Sequence, residues 1–425
     1  MKLRKSLWRI FGPFIIAAAA LLLLLYAPFS FGKVSNATLR RASVSMSSNI
    51  LKGNKVKDQA VKQGYVPFIG SSELSRMDSF HPSVLAAKYK RNYRPFLLGA
   101  AGTQSLTHYF SVQAMGNQMK NKKAVVIISP QWFVKKGVRP SMFDFYYSPV
   151  QTAYFLAHAK NTAQDRYAAK RLLQLPSGTS DDVVTGALEN VALGRKLTSF
   201  QSFYVKDLRG KMLKQEDAMF SEDFLKNNVP KIQLAASKLP KTYNEYKLEQ
   251  LANQMGAQQT KGNPFGIKQK FYQNRVKPLV KHLKGSQTNF NYVSSPEYAD
   301  FELLLNQFAK ENTDVLFIIP PINQKWANYT GLSNTMIQQF DRKITYQLQS
   351  QGFNNIDDLT QDGNQKYFME DTIHIGWRGW LQVDQRVRPF LKDLKAKPQN
   401  YKIQSRFYTK KWQTQTDLNQ MSTTK

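Results

Sequence analysis

The sequence predicts an α/β fold in which a parallel sheet lies between two helical layers, forming a three-layer α/β/α domain. Short, continuous apolar runs alternate with helical patterns, most clearly at Ala124–Ile128 and Val315–Ile319. Strands that are apolar along their whole length are typical of a parallel sheet covered on both faces. In addition, the chain begins with one long uncharged stretch, which predicts a membrane helix ahead of the domain.

This membrane helix is predicted over residues 10–31, which include the run Ala17–Leu25 and contain no charged side chain. About 20 apolar residues are enough to cross a bilayer core. The preceding residues 1–9 are basic, and the positive-inside rule keeps them in the cytoplasm. The alternative is a cleaved signal peptide, but the apolar core is longer than a typical signal core and no small-x-small site follows cleanly. We therefore expect a single-pass cell-membrane protein with an extracellular C-terminal domain.

The first predicted strands follow a polar, basic stretch, residues 32–60, that is interpreted as a juxtamembrane linker. Tyr65–Ile69 and Pro95–Gly99 each end at a glycine, and the second is followed by a helical pattern, Leu106–Met119. The strand Ala124–Ile128 completes this region. Alternation of strands with helices predicts crossover units in a parallel sheet.

The alternation of strands and helices stops over residues 148–295. These residues are predicted to be a helical insertion, and Lys231–Lys261 is its most obvious helical stretch. A helix at 299–310, the strand Val315–Ile319 and a helix at 332–349 then resume the pattern. An acidic loop at Asp357-Asp358 leads to a histidine-containing segment. The predicted domain therefore covers residues 61–395, and residues 396–425 are predicted to be a loosely attached polar tail.

The chain is strongly basic, with 60 Lys and Arg against 29 Asp and Glu, a formal charge of +31. In a cytosolic protein this excess would indicate nucleic-acid binding. The predicted topology instead favours lipid headgroups and anionic cell-envelope polymers as partners. We therefore expect that the protein does not bind nucleic acid. A solvated basic surface near anionic lipid explains part of the charge.

The chain contains no cysteine. This excludes disulfides, thiol nucleophiles and cysteine-ligated metals, so covalent chemistry is left to hydroxyl groups. We expect neither a metal nor an organic cofactor.

The most informative segment for chemistry contains Asp371 and His374, three residues apart. A carboxylate at this spacing can bond the Nδ1–H of the imidazole within one turn and leave Nε2 free as a general base. Asp78 and His81 have the same spacing, but they lie where a helix is expected to end before Pro82. A purely structural hydrogen-bonded pair is an equally good interpretation of either motif.

A second segment, Gly70-Ser71-Ser72-Glu73, follows the first predicted strand. Ligands bind at this edge of open α/β sheets, where helix N-termini offer N–H groups. The alternative is that these residues only cap the next helix. The Gly-x-Ser-x-Gly elbow of α/β hydrolases is not present. Gly102 and Gln131 follow the next two strands and are candidate oxyanion donors, although each is also an ordinary turn residue.

The order of these pieces resembles the SGNH (GDSL-like) hydrolase superfamily. Ser71 stands where that superfamily usually has Asp, and Gln131 where it usually has Asn. Both departures are similar to the DltD family, and the motifs that carry this resemblance are Ile69–Leu74, Ser129–Phe133, Asn263–Gly266 and His374–Trp380. With the N-terminal anchor, the resemblance covers nearly the whole chain except the tail.

The resemblance implies an SGNH-like fold on the outer face of the membrane and a role in D-alanylation of lipoteichoic acid. Ser72 would be the nucleophile, His374 the base, Asp371 its orienting group, and Gly102 and Gln131 the oxyanion donors. Spacing alone does not decide between Ser71 and Ser72, and the superfamily position favours Ser72. The implied partners are lipoteichoic acid, the membrane O-acyltransferase DltB and, indirectly, the D-alanyl carrier protein DltC.

Two other functions fit the same sequence. One is a surface esterase or thioesterase that uses water as the acceptor. The other is a non-catalytic basic module that presents the polymer or the D-alanyl carrier to a membrane acyltransferase. A binding module has no need for the Ser, Gly, Gln and Asp-x-x-His series, so that series favours an enzyme.

Overall fold

Five parallel strands form one sheet within the described part of the computed structural model, residues 2–26 and 32–417. The strand order is β2-β1-β3-β4-β5, the order of flavodoxin-like doubly wound sheets. The strands are β1 Tyr65–Ile69, β2 Arg94–Leu98, β3 Lys123–Ile127, β4 Asp314–Ile319 and β5 Ile356–Asp358. The predicted α/β class is confirmed, and the four predicted strands agree with β1 to β4 to within one residue at each end.

Both faces of the sheet are buried. Successive side chains of each strand point to opposite faces, so each strand contributes to the core on both sides. On one face, Ile69 and Phe317 belong to a cluster of buried apolar residues. On the other face, Phe68 and Ile318 belong to a second cluster. Helices cover each face and produce the three layers. The continuous apolar strands seen in the sequence therefore reflect burial on two sides.

The helices fall into groups that precede, cover or interrupt the sheet. Those before and around the first three strands are α1 Lys2–Tyr26, α2 Asn36–Ala42, α3 Ser48–Lys52, α4 Lys55–Lys62, α5 Pro82–Lys88 and α6 Ser105–Met115. Those that follow β3, up to residue 283, are α7 Pro140–Tyr146, α8 Pro149–His158, α9 Ala163–Leu173, α10 Asp182–Ala192, α11 Ser199–Phe203, α12 Arg209–Phe220, α13 Val229–Ser237, α14 Glu245–Thr260, α15 Gln269–Phe271 and α16 Val280–Leu283. The remainder are α17 Glu297–Lys310, α18 Gln324–Thr330, α19 Asn334–Gln349, α20 Trp377–Phe390 and α21 Lys410–Thr414.

The predicted helical insertion, residues 148–295, is occupied by helices α8 to α16. Its most obvious helical stretch, Lys231–Lys261, is not one helix. Helix α13 ends at Ser237 and α14 begins at Glu245, and Pro240 lies between them. Proline has no N–H to donate and its ring clashes with the preceding turn, so the break is expected there.

The predicted acidic loop at Asp357-Asp358 is wrong. These residues belong to β5, which pairs with β4 at the edge of the sheet. Only three residues pair, and two of them are acidic, so neither length nor composition indicates a strand. Its position at the edge explains this composition, since one side of the strand is unpaired.

The N-terminal helix α1 contains the apolar segment Arg4–Tyr26, which is long enough to cross a membrane and is almost entirely exposed. The helix covers Lys2–Tyr26, so residues 2–9 of the predicted basic segment and residues 10–26 of the predicted span form one continuous helix. Residues 27–31 of that predicted span lie outside the described residues.

The predicted linker, residues 32–60, is instead part of the folded domain. Helices α2, α3 and α4 place Leu39, Ile50 and Val61 in the core, each almost completely buried. The Leu97 N–H of strand β2 donates to the Ser43 carbonyl at 2.8 Å, which ties this segment to the outer edge of the sheet. The apolar residues are widely spaced between polar ones, and this spacing concealed the buried helical faces.

The predicted polar tail, residues 396–425, is also wrong over its described part, which ends at residue 417. Phe407 is fully buried and Trp412 is 8% exposed. The Lys343 ammonium group donates to the Trp412 carbonyl at 2.7 Å and to the Gln415 carbonyl at 2.8 Å. Burial lowers the pKa of Lys343 to about 7. The segment is therefore docked onto α17 and α19.

We expect Trp412→Ala to reduce the free energy of unfolding by about 3–5 kcal/mol, because it removes a large buried aromatic side chain. The Trp412 indole N–H also donates to Gln347 Oε1 at 3.0 Å, and that acceptor would lose its partner. Urea denaturation followed by circular dichroism measures the change. The exposed Trp8 lies outside this core, so Trp8→Ala is the matched control. Equal stability of both variants would contradict the docked arrangement.

Candidate active site

The site lies at the carboxyl edge of the sheet, next to the point where the strand order reverses. Strand β1 lies between β2 and β3, so the loops that follow these strands are neighbours. Ligands of open α/β sheets bind at this position. Ser72 follows β1, Gly102 follows β2 and Gln131 follows β3.

Three of the predicted residues are in direct contact. The Ser72 hydroxyl lies 2.7 Å from His374 Nε2. His374 Nδ1 lies 2.8 Å from each carboxylate oxygen of Asp371. Ser72 is partly exposed, whereas Asp371 is fully buried. This is the geometry in which a histidine can take a proton from a serine while a carboxylate holds the ring.

A tight turn fixes the Asp371–His374 pair. Met369 and Ile375 form an isolated antiparallel bridge, and the Glu370 N–H donates to the His374 carbonyl at 2.8 Å. Asp371 Oδ1 also accepts from the N–H groups of Ile373 and His374, both at 3.0 Å. The carboxylate therefore folds the turn and orients the ring. A spacing of three residues is what this geometry requires.

The two neighbouring serines have different partners. The Ser71 hydroxyl donates to the Ala100 carbonyl at 3.1 Å and is buried. The Ser71 N–H donates to the buried Glu73 carboxylate. Ser72 alone of the two reaches His374. The two serines, which spacing did not separate, therefore differ in their contact with His374.

Gly102 and Gln131 lie on loops that are tied to the Ser72 loop and to each other. Thr103 Oγ1 donates to the Gly70 carbonyl at 2.9 Å, and Gln104 Nε2 donates to the Trp132 carbonyl at 2.9 Å. Gly102 has φ +89° and a Cβ there would approach Met142 Sδ to 2.6 Å, so the position requires glycine. Gln131 is partly exposed on the short helical turn Pro130–Phe133.

Arg76 is a site residue that the sequence did not indicate. Its Nη2 lies 3.0 Å from Asp371 Oδ2 and 3.3 Å from His374 Nδ1. Burial alone would raise the pKa of Asp371, but the hydrogen bond and charge of His374, together with Arg76, outweigh burial and hold this pKa below its ordinary value. Arg76 lies far from Asp371 in sequence, and only the fold brings the two together.

Glu73 belongs to the segment that the sequence singled out, but its contact with the Ser72 loop was not predicted: its carboxylate accepts the Ser71 N–H. Its side chain is buried, and burial raises the pKa of its carboxyl group despite the hydrogen bonds from nearby N–H groups. A Cβ at Gly70 would come within 2.3 Å of Glu73 Oε1. Glycine at 70 and glutamate at 73 therefore fit each other. The expected helix start after β1 is a single short turn, Ser72–Ser75.

The second Asp-x-x-His pair is structural. Asp78 Oδ1 accepts from the Phe80 N–H at 2.7 Å. His81 is the N-cap of α5, and its Nδ1 accepts from the Ser83 N–H at 3.2 Å. A helix begins at Pro82, whereas the sequence predicts one that ends there. Burial lowers the pKa of His81 to about 3. This ring is therefore a neutral capping group.

In the described ranges, no three or more His, Asp and Glu side chains are grouped as a metal-binding set. The available chemistry is that of a hydroxyl, an imidazole and a carboxylate. The sheet order, the serine after β1 and the Asp-x-x-His turn near the C-terminal end together define an SGNH-type α/β protein.

Comparison with known proteins identifies the family. The family model described as "DltD protein" matches residues 43–392. The chain is 56% identical to Protein DltD of Lacticaseibacillus rhamnosus over 412 residues, covering 97% of each chain. It is 32% identical to Protein DltD of Bacillus subtilis (strain 168), covering 90% of this chain and 97% of the relative. It is 29% identical to Protein DltD of Staphylococcus aureus (strain NCTC 8325 / PS 47), covering 92% and 97%. The chain belongs to the DltD family.

Proposed function

We propose that this protein transfers D-alanyl groups to lipoteichoic acid through an acyl-enzyme on Ser72. The observation that carries the proposal is the contact series from the Ser72 hydroxyl through His374 to Asp371. Membership in the DltD family supports a role in D-alanylation of this polymer. The series supplies a nucleophile, a base and an orienting group, which acyl transfer requires.

In the first step, Ser72 Oγ attacks the carbonyl carbon of an activated D-alanyl donor and its proton passes to His374 Nε2. The tetrahedral intermediate then expels the donor's leaving group, which takes the proton from His374. In the second step, a polymer hydroxyl attacks the Ser72 ester and gives its proton to His374. Ser72 leaves with that proton and is regenerated. Asp371 stabilises the imidazolium at both stages.

The developing oxyanion needs hydrogen-bond donors, and we assign this role to Gly102 and Gln131. Both follow strands that flank β1, so their loops border the Ser72 loop. The Gly102 N–H and the Gln131 amide are donors of the kind found in oxyanion holes. Position 102 favours glycine because its φ is positive and because a Cβ there would clash with Met142.

We expect Gln131→Ala to lower the rate of D-alanyl transfer by roughly 10²–10³-fold, the usual cost of removing one oxyanion donor. Binding of the polymer should change little, because the amide acts on charge that develops only in the transition state. Steady-state kinetics with a D-alanyl donor separates the two effects. Gln151 of α8 donates a hydrogen bond to the Leu51 carbonyl of α3, away from this site, so Gln151→Ala is the control. If Gln131→Ala lowered only the affinity for the polymer, Gln131 would not be an oxyanion donor.

The net charge of +31 suits a polyanionic acceptor, because it raises the concentration of a glycerol-phosphate chain at the surface. By family resemblance, the partners are the membrane acyltransferase DltB and, indirectly, the carrier DltC. We assign α1 as the anchor that keeps the protein beside this machinery.

We place the domain on the outer face of the membrane because the basic residues Lys2, Arg4, Lys5 and Arg9 precede the apolar stretch. A protease added to intact protoplasts is expected to digest the chain beyond about residue 33. A cytosolic marker protein in the same sample must stay intact. Complete protection of the domain would contradict this orientation and restore nucleic acid as a partner.

The test of the proposed function is to trap the acyl-enzyme. The full chain is incubated with a D-alanyl thioester, quenched in acid and digested, and the peptide that contains Ser72 is analysed by mass spectrometry. We expect a D-alanyl ester that fragmentation assigns to Ser72 and that polymer removes faster than water does. Equally fast loss to water would favour the esterase alternative. No ester, with polymer D-alanylation retained by Ser72→Ala, would favour the binding module.

A further inference from the structure

A large cavity lies outside the Ser72 site. Its volume is about 1060 Å³, its lining comes mainly from α4, α8 and the α12 region, and no residue of the Ser72 site takes part. One wall is apolar and is formed by Val150, Ala153, Ala157 and Val205. The cavity is therefore large enough for a headgroup and part of an acyl chain.

Lysines dominate the charged lining. Lys33, Lys62, Lys206 and Lys214 line the cavity and are exposed, and Lys55 contributes a fifth ammonium group that pairs with Glu222.

Two acidic residues, Asp58 and Asp217, also line the cavity, and the five lysines outnumber them. The Asp217 carboxylate accepts the N–H groups of Asn54 and Lys55 at the start of α4, at 2.8 and 3.0 Å. Burial raises the pKa of Asp58 to about 7, which reduces its negative charge near neutral pH. The lining thus favours an anion.

The surroundings of the cavity connect it to the anchor helix. Lys33 follows Tyr26, the last residue of α1, by seven positions, which span at most about 25 Å. Helix α12 contacts α1 directly. Exposed aromatic residues lie before α12, at its last position and after it: Phe200, Phe203, Phe220 and Phe224, which are 54–92% exposed. Exposed aromatic groups interspersed with lysines are typical of a surface that lies in a membrane interface.

We propose that this cavity binds an anionic phospholipid of the membrane, with the phosphate near Lys206 and Lys214 and the acyl chains against Val150 and Ala157. The proposal rests on the anchoring of the domain by α1. The lysines account for the phosphate. The apolar wall provides a contact surface for the acyl chains. A soluble glycerol-phosphate polymer has no acyl chain to place against this wall, so the wall favours lipid over polymer as the source of the phosphate. The site would hold the domain at a fixed height and orientation on the bilayer.

The test uses the full chain in a neutral detergent and three probes: dioctanoyl phosphatidylglycerol, dioctanoyl phosphatidylcholine and glycerol 1-phosphate. Binding is measured by isothermal titration calorimetry. We expect saturable binding of the phosphatidylglycerol, with one lipid per chain and roughly tenfold or greater preference over phosphatidylcholine. The double variant Lys206→Ala/Lys214→Ala should weaken binding roughly tenfold or more. Lys241→Ala/Lys247→Ala removes the same charge from exposed residues that do not line the cavity, and should bind as the parent chain does.

A cavity-filling variant, Ala157→Phe, tests the apolar wall while every lysine is kept. We expect it to abolish saturable binding of the phosphatidylglycerol. Affinity that is unchanged in Ala157→Phe and equal in the two lysine double variants would overturn the proposal. Binding of glycerol 1-phosphate as tight as that of the lipid would also overturn it, because the ligand would then be a phosphate without acyl chains.

The outcome is independent of the proposed chemistry. Ser72→Ala should bind the lipid as the parent chain does, because the two sites share no residue. Normal lipid binding with no acyl-enzyme would refute the acyl-enzyme and leave the lipid site intact. An acyl-enzyme that forms normally, with no saturable lipid binding, would refute the lipid site alone.

Discussion

Replacing Ser72 by alanine is expected to reduce D-alanyl transfer by on the order of 10⁴–10⁶-fold, the scale seen when a serine nucleophile is removed. The substitution deletes one hydroxyl, whose partner is His374 Nε2 at 2.7 Å. Ser72 is partly exposed, so folding should change by no more than about 0.5 kcal/mol. Polymer D-alanylation in cells and acyl-enzyme formation in vitro are the two measurements.

Ser71→Ala is the matched control, since it deletes the same group one residue earlier. Its hydroxyl bonds the Ala100 carbonyl and does not reach His374, so most of the activity should remain. His374→Ala should lose about as much activity as Ser72→Ala. The Ser72→Ala/His374→Ala double variant should lose little more than either single variant, because nucleophile and base act as one unit. Full D-alanylation by both single serine variants and by the Ser71/Ser72 double variant would exclude covalent catalysis.

The sequence revealed the sheet well because burial on two faces leaves a local signal. Strands β1 to β4 each contain a continuous apolar run, and such a run is visible in the sequence without information about the neighbouring strands. β5 carried no such signal, since it has three residues and lies at an edge. The sequence does not reveal helices α2 to α4 or the docked segment around Trp412 for a related reason. Their few apolar residues are buried by distant parts of the chain, which composition does not reveal.

The site divides in the same way. The Asp371–His374 pair was predictable because a single turn makes the contact. Ser72, Gly102 and Gln131 could be proposed because the carboxyl ends of parallel strands share one edge. The contact of Ser72, and not Ser71, with His374 could not be read from the sequence, since adjacent serines differ only in the direction of their hydroxyl groups. Arg76 and Glu73 required coordinates too, because one contacts a distant turn and the other packs beneath its own loop.

Asp371→Asn is expected to lower transfer by about 10⁴-fold even though the turn should persist. The amide oxygen can replace Oδ1 as acceptor for the N–H groups of Ile373 and His374. The amide nitrogen then faces His374 Nδ1 and donates to it, which moves the ring proton to Nε2. A protonated Nε2 cannot accept the proton of Ser72, so the base is disabled with its position unchanged.

Arg76→Gln separates this effect from simple loss of the ion pair. It breaks the 3.0 Å contact with Asp371 but leaves the carboxylate to hold the Nδ1–H tautomer. Solvent screens the partly exposed Arg76 guanidinium, and the buried Asp371 keeps its N–H partners in Ile373 and His374, so we expect a loss of roughly tenfold or less. NMR of the His374 ring nitrogens should show Nδ1–H in the parent chain and in Arg76→Gln, and Nε2–H in Asp371→Asn. If the two variants lost activity equally with the same tautomer, Asp371 would act through its charge and its ion pair with Arg76, and the orienting role would be wrong.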